Sequence, residues 1–134
     1  MRLFLAHCEF IEYKPIMKEI KYAENSEKRV YRFENVLVVF TCIEKDDNEE
    51  KVEKASMEIK SSLKDLGINK VLVYPFAHLS NNLKKPSEAL ELIKLFVKKM
   101  EELNIEVYKA PFGWTKELHL KIKGHPLAER SKFF

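Results

Sequence analysis

Residues 71 to 108 read as a strand, a helix and a second strand, and that order decides how the middle of the chain must fold. Leu66-Gly67-Ile68-Asn69-Lys70-Val71-Leu72-Val73-Tyr74-Pro75-Phe76 and Leu103-Asn104-Ile105-Glu106-Val107-Tyr108-Lys109-Ala110-Pro111-Phe112 each run from a helix end through an apolar strand into Pro-Phe. Between them, Pro86 stands where a first helical residue tolerates proline, and Glu88 and Glu91 lie near the positive end of the helix dipole. Leu90, Ile93, Phe96, Val97, Met100 and Leu103 form the inner stripe of that helix, about 86–103. Such a crossover is right-handed and makes its two strands parallel in nearly all cases. Ligands of open α/β sheets gather beyond the carboxyl ends of the strands. His78 follows the first Pro-Phe and Lys116 the second, so the two side chains are expected at one rim of the sheet.

The flanking segments complete an α/β domain with a mixed sheet and two main helices. Leu3 to Tyr13 reads as a first strand, and Val36 to Ile43, β-branched and almost continuously apolar, as a strand buried on both faces. Lys14 to Arg32 is charged and broken by Pro15, with room for an edge strand or a hairpin arm. Asp47-x-x-Glu50 resembles a capping box, and the helix it opens, about 49–66, carries Val52, Ala55, Ile59, Leu63 and Leu66 on one stripe before Gly67 stops it. Trp114 to Ile122 alternates: Leu118, Leu120 and Ile122 face one way with Lys116, while Glu117, His119 and Lys121 face the other. After Gly124-His125-Pro126, residues Leu127 to Arg130 read as a helical turn or a strand stub.

At 134 residues the chain is long enough for one domain with a real core. No apolar run approaches a membrane span, and nothing at the start resembles a signal peptide. Cys8 and Cys42 are too few and too far apart for a disulfide framework, and read as reduced core residues of a cytoplasmic protein. Charge is unevenly placed within a net +3. Residues 109 to 134 hold Lys109, Lys116, Lys121, Lys123, Arg130 and Lys132 against Glu117 and Glu129, a balance of +4. A basic end on a near-neutral body suits a phosphate backbone, and it equally suits a solvated surface.

Lys116 and Glu129 stand thirteen residues apart across a turn, a separation that would let them meet. A lysine beside a carboxylate in a desolvated cleft holds a water or steadies an oxyanion; the same pair on a surface is a weak salt bridge. His78 is suited to donating to a carbonyl or ribose oxygen, or to capping its own loop. The four histidines and two cysteines lack the short paired spacings of zinc sites, so no metal is expected. Ser80 lacks the glycine-flanked elbow of a serine nucleophile. Phe76, Phe112 and Trp114 would serve either as base-stacking platforms or as core.

Three blocks carry a family resemblance: Tyr74-Pro75-Phe76-Ala77-His78-Leu79-Ser80, Lys109-Ala110-Pro111-Phe112-Gly113-Trp114-Thr115-Lys116 and Lys123-Gly124-His125-Pro126-Leu127-Ala128-Glu129. In that order they resemble the signature blocks of the N-terminal editing domain of archaeal threonyl-tRNA synthetases, and Met1 to His7 and Val36 to Lys45 are similar too. The resemblance implies a compact fold like that of D-aminoacyl-tRNA deacylases, a homodimer, and hydrolysis of serine wrongly attached to threonine tRNA. It assigns Lys116 and Glu129 to the water and the serine, and His78 to the substrate near its ester. Backbone groups of Ile43, Ala77 and Phe112 would hold the terminal adenosine at the 3′ end of the tRNA, with Pro75 and Thr115 in the pocket wall. Thr115 stands where relatives often carry a tyrosine. The ribose hydroxyl beside the ester would assist the reaction. No cofactor is implied for this domain; ATP, magnesium and zinc belong elsewhere in a parent synthetase, from which residues 1–134 would be an excised single domain. Three other readings are a stand-alone D-aminoacyl-tRNA deacylase, a non-catalytic tRNA-binding module and a structural dimerisation domain.

Overall fold

The computed structural model describes all of residues 1–134. Its elements are β1 (Arg2–Lys18), β2 (Tyr31–Cys42), α1 (Glu49–Leu66), β3 (Lys70–Pro75), a 3-10 turn (Ala77–Leu79), α2 (Pro86–Glu102), β4 (Glu106–Lys109), β5 (Trp114–Ile122) and β6 (Glu129–Phe133). The sheet order is β4-β3-β2-β1-β5, with β6 also on β1. β3 pairs in parallel with both β2 and β4, as the strand–helix–strand reading requires, and every pairing of β1 is antiparallel. This is the mixed α/β architecture with two helices expected from the sequence.

Alternation assigns the two faces of the sheet. Leu3, Leu5, Leu37, Val39, Val71 and Val73 point to the face covered by α1 and α2. Ala6, Cys8, Val36, Val38, Phe40, Leu72 and Tyr74 point to the opposite face, which is aromatic. Both strands of the β1–β2 ladder change parity where Glu9 and Asn35 drop out of register and Asn35 takes φ 45°. Past that point Ile11 and Tyr13 join the aromatic face, and Tyr13 stacks on Tyr31 at 5.1 Å.

Several local expectations need correction. β1 continues past Tyr13 to Lys18 and takes in Pro15, which sits at a register shift where a sheet tolerates a residue without an N–H. The Lys14–Arg32 stretch therefore supplies the ends of a long hairpin, with residues 19–30 as its connection. Asn48, not Asp47, caps α1, its side chain accepting from Lys51 N–H at 3.0 Å. Asp47 is buried instead and takes the ammonium of Met1 at 2.5 Å. Residues after Pro126 form a full strand, β6, against the first half of β1. Cys8 and Cys42 are free and buried.

Candidate functional site

At the carboxyl ends of β2 and β3 the sheet opens into a cavity of about 380 Å³. That is within the roughly 300–1,000 Å³ usual for small-molecule sites. Its floor is Tyr74 and Thr41, and one wall comes from Pro75, Ala77 and His78 after β3. The loop from Phe112 to Lys116 makes a second wall, and α2 closes the back with Pro86, Ala89 and Ile93. Ile43, Pro75, Ala77, His78, Phe112, Thr115 and Lys116, seven of the eight residues singled out by sequence, line this one space.

Lys116 is the only lysine here whose charge is held against burial. Its Nζ donates to the Trp114 carbonyl at 3.2 Å and sits 4.8 Å from the centre of the Tyr74 ring. Burial drives its pKa down to about 8, and Lys109 adds to the depression while Glu19 and Glu24 oppose it. An amine titrating there remains mostly ammonium at neutral pH. Burial also pushes the Tyr74 hydroxyl up to about 12, so the ring stays neutral beneath the cation.

The wall that carries Lys116 is fastened by a strap, residues 19–24 of the connection between β1 and β2. The Glu24 carboxylate accepts from Lys109 Nζ and from Phe112 N–H, the latter at 2.9 Å. Glu24 N–H in turn donates to the Phe112 carbonyl at 3.0 Å, and the Trp114 indole N–H to the Glu24 carbonyl at 2.6 Å. Glu19 takes the Thr115 hydroxyl with its side chain, and its own N–H donates to the Gly113 carbonyl at 2.8 Å. Gly113 is obligatory in this clasp: φ is 81°, and an added Cβ would lie 2.8 Å from Ile20 Cγ1 and 3.0 Å from Ala23 Cα. These contacts have no short-range signature, because Glu24 and Phe112 are 88 residues apart. They also place a constraint on the resemblance, since both backbone groups of Phe112 already have partners within the chain.

The other residues fall as follows. His78 is exposed, with its ring edge-on to Phe76 at 4.9 Å, free to turn toward a ligand. Trp114 is buried, with its indole N–H satisfied, and serves as core rather than as a stacking platform. Ser80 donates to Glu44 at 2.7 Å, and that carboxylate is already held by the Met1 ammonium and Arg2.

Glu129 does not join the cavity. The Gly124 turn does not fold β6 back on β5; it sends the chain onward along the same edge of β1. Lys116 therefore lies opposite Pro15 and Glu129 opposite Ala6, nine β1 residues away. At ~3.3 Å per residue that is roughly 30 Å. Within one chain Lys116 and Glu129 do not meet. The basic C-terminal segment is also less basic than its composition indicates. Lys109 pairs with Glu24, Lys121 with Glu9, Arg130 with Asp65 and Lys132 with Glu58.

Residues 1–134 match the family model described as the archaea-specific editing domain of threonyl-tRNA synthetase. This chain belongs to that family. Among relatives of the editing domain, the threonine–tRNA ligase of Nitrosopumilus maritimus is 45% identical over 133 residues, which is 98% of this chain and 21% of that protein. The threonine–tRNA ligase of Staphylothermus marinus is 44% identical over 135 residues, 98% of this chain and 22% of that one. The editing domain described here thus spans about a fifth of those relatives. A solved structure, c-Myc DNA Unwinding Element Binding Protein, superposes with a TM-score of 0.76 over 100% of this chain and 99% of that one. At 10% identity that likeness shows the fold alone. No helix is long and apolar enough to cross a membrane.

Proposed function

We propose that this domain hydrolyses the ester of L-serine wrongly joined to threonine tRNA, as a cytoplasmic unit acting with the rest of a synthetase. The observation that carries the reading is the ammonium of Lys116 inside a mostly apolar cavity sized for one nucleoside ester. A synthetic site built for threonine must also admit serine, because one methyl is worth only ~1–3 kcal/mol. A second site that excludes the methyl supplies the missing discrimination.

In the reaction, water attacks the ester carbonyl carbon, the carbon–oxygen bond to the ribose breaks, and a proton ends on the departing ribose oxygen. Negative charge develops on the carbonyl oxygen before that bond breaks. Lys116, as ammonium, is suited to offset that charge or to hold the serine hydroxyl, and low local polarity strengthens either contact. His78 is suited to orient the ester from the facing wall. No side chain in the cavity is arranged as a strong base, so the neighbouring ribose hydroxyl is the proposed helper. The terminal adenosine would lie along Ile43, Ala77 and Phe112, with Pro75 and Thr115 shaping the pocket.

A homodimer is part of the proposal. Glu129 is exposed and lies far along β1, so only a second copy would return it to a Lys116. The discriminating experiment offers L-seryl and D-seryl esters of threonine tRNA to the wild-type chain and to Lys116→Met. Hydrolysis of the L-ester that Lys116→Met lacks is expected. Turnover of the D-ester alone would make the domain a D-aminoacyl-tRNA deacylase instead.

A further inference from the structure

A second concavity, of about 410 Å³, adjoins the first and shares His78 with it. Arg2, Ser80, Asn81 and Asn82 line it, and it is polar where the first is apolar. We propose that this groove binds the sugar-phosphate and base of the nucleotide preceding the terminal adenosine, as single-stranded RNA leaves the cavity. The inference rests on the hydrolase reading for its choice of RNA, but the features that support it are separate.

Cations free to meet a phosphate flank this groove. Lys45, Lys84 and Lys85 form no ion pair, whereas four of the six cations of the basic C-terminal segment are already paired. Lys84 lies on the loop that joins the groove to the cavity, its Nζ on the Lys45 carbonyl at 2.9 Å. The one carboxylate in the groove, Glu44, is occupied: Met1 ammonium reaches it at 3.1 Å, Arg2 Nε at 3.2 Å and Ser80 Oγ at 2.7 Å. The opposite rim presents Glu19, which disfavours a phosphodiester leaving that way.

The groove also offers neutral recognition. The side-chain amides of Asn81 and Asn82 are exposed and make no hydrogen bond within the protein, leaving donors and acceptors for a ribose hydroxyl or a base edge. Arg2 is held in place rather than free to sweep, with its guanidinium 5.3 Å from the centre of the exposed Phe133 ring. A guanidinium fixed over an aromatic ring makes a flat stacking surface for a base.

The test compares adenosine with the ribotrinucleotide CCA, using the fluorescence of Trp114, the single tryptophan, which lines the cavity. The wild-type chain is expected to bind CCA at least about tenfold more tightly than adenosine at low salt. That advantage should fall as salt rises, with a log–log slope of about 0.7 per phosphate contacted. Arg2→Gln, and separately Asn81→Ala, are expected to erase most of the advantage while leaving the adenosine affinity unchanged, which also shows that they fold. Equal binding of the two ligands by the wild type, or variants that keep the preference, would overturn the groove. Failure to hydrolyse any seryl ester would overturn the catalytic reading and leave this binding result standing.

Discussion

The Lys116 ammonium lies 4.8 Å from the centre of the Tyr74 ring, and the two residues come from strands that are not neighbours in the sheet. Tyr74 is the penultimate residue of β3 and Lys116 the third of β5, so the pair joins the floor of the cavity to its wall. The ring offers a neutral face to a charge that burial disfavours, which lets a cation stay in an apolar site without a carboxylate to cancel it. A lysine neutralised by a close acid would have less to offer a developing oxyanion.

Replacing Lys116 with methionine should remove deacylation by a factor of about 100 or more, the scale of losing one oxyanion-stabilising group. Thermal stability should be unchanged or slightly raised, because a buried charge is exchanged for an apolar side chain of similar length. Single-turnover deacylation and a thermal melt on the same preparation check both halves.

Because the ammonium form is the active one in this account, enzyme-dependent hydrolysis should decline as pH rises through about 8, after the uncatalysed rate is subtracted. Stability should move the other way. The lysine pKa is lower in the folded state than in the unfolded chain, so the unfolded state binds more protons between about 8 and 10.5. Wild type should therefore gain stability over Lys116→Met across that window, and show no such gain below it. Paired urea titrations at pH 7 and pH 10 measure the difference.

Tyr74→Phe keeps the ring and should leave the alkaline limb of activity where it is. Tyr74→Leu removes the ring, worth about 0.5–2 kcal/mol to a cation, and should shift that limb to lower pH by roughly 0.4–1.5 units. Equal behaviour of the two variants would assign Tyr74 to packing alone.

Two residues outside the chemistry should prove costly. Gly113→Ala places a Cβ against Ile20 and Ala23 at a positive φ, and should destabilise the domain by about 1–3 kcal/mol. Asp47→Asn leaves the buried Met1 ammonium without its closest counter-charge, a change in the range of about 3–5 kcal/mol. Denaturant midpoints at neutral pH report each.

What the sequence disclosed follows the range of the interactions. The bounds of α1, the left-handed Gly67 stop and Pro86 at the start of α2 are set by neighbours within a turn or two, and all stand as expected. The meeting of His78 and Lys116 at one rim followed from the handedness of a crossover, a rule that needs no distant contact. Glu129 illustrates the opposite case. A turn at Gly124 is legible, but whether the next strand returns on β5 or proceeds along β1 depends on which edge is open. That edge is set by residues 2–6. The Glu24 clasp was hidden for the same reason: its partners are separated by most of the chain. Asp47 read as a helix cap because the amino terminus that claims it comes from 46 residues away.

The central claim is tested most directly by incubating this chain with seryl-tRNA(Thr) and, in parallel, with threonyl-tRNA(Thr), and following release of the amino acid. Loss of serine with threonine retained is the predicted result. Retention of both, or release of both at the same rate, would contradict it.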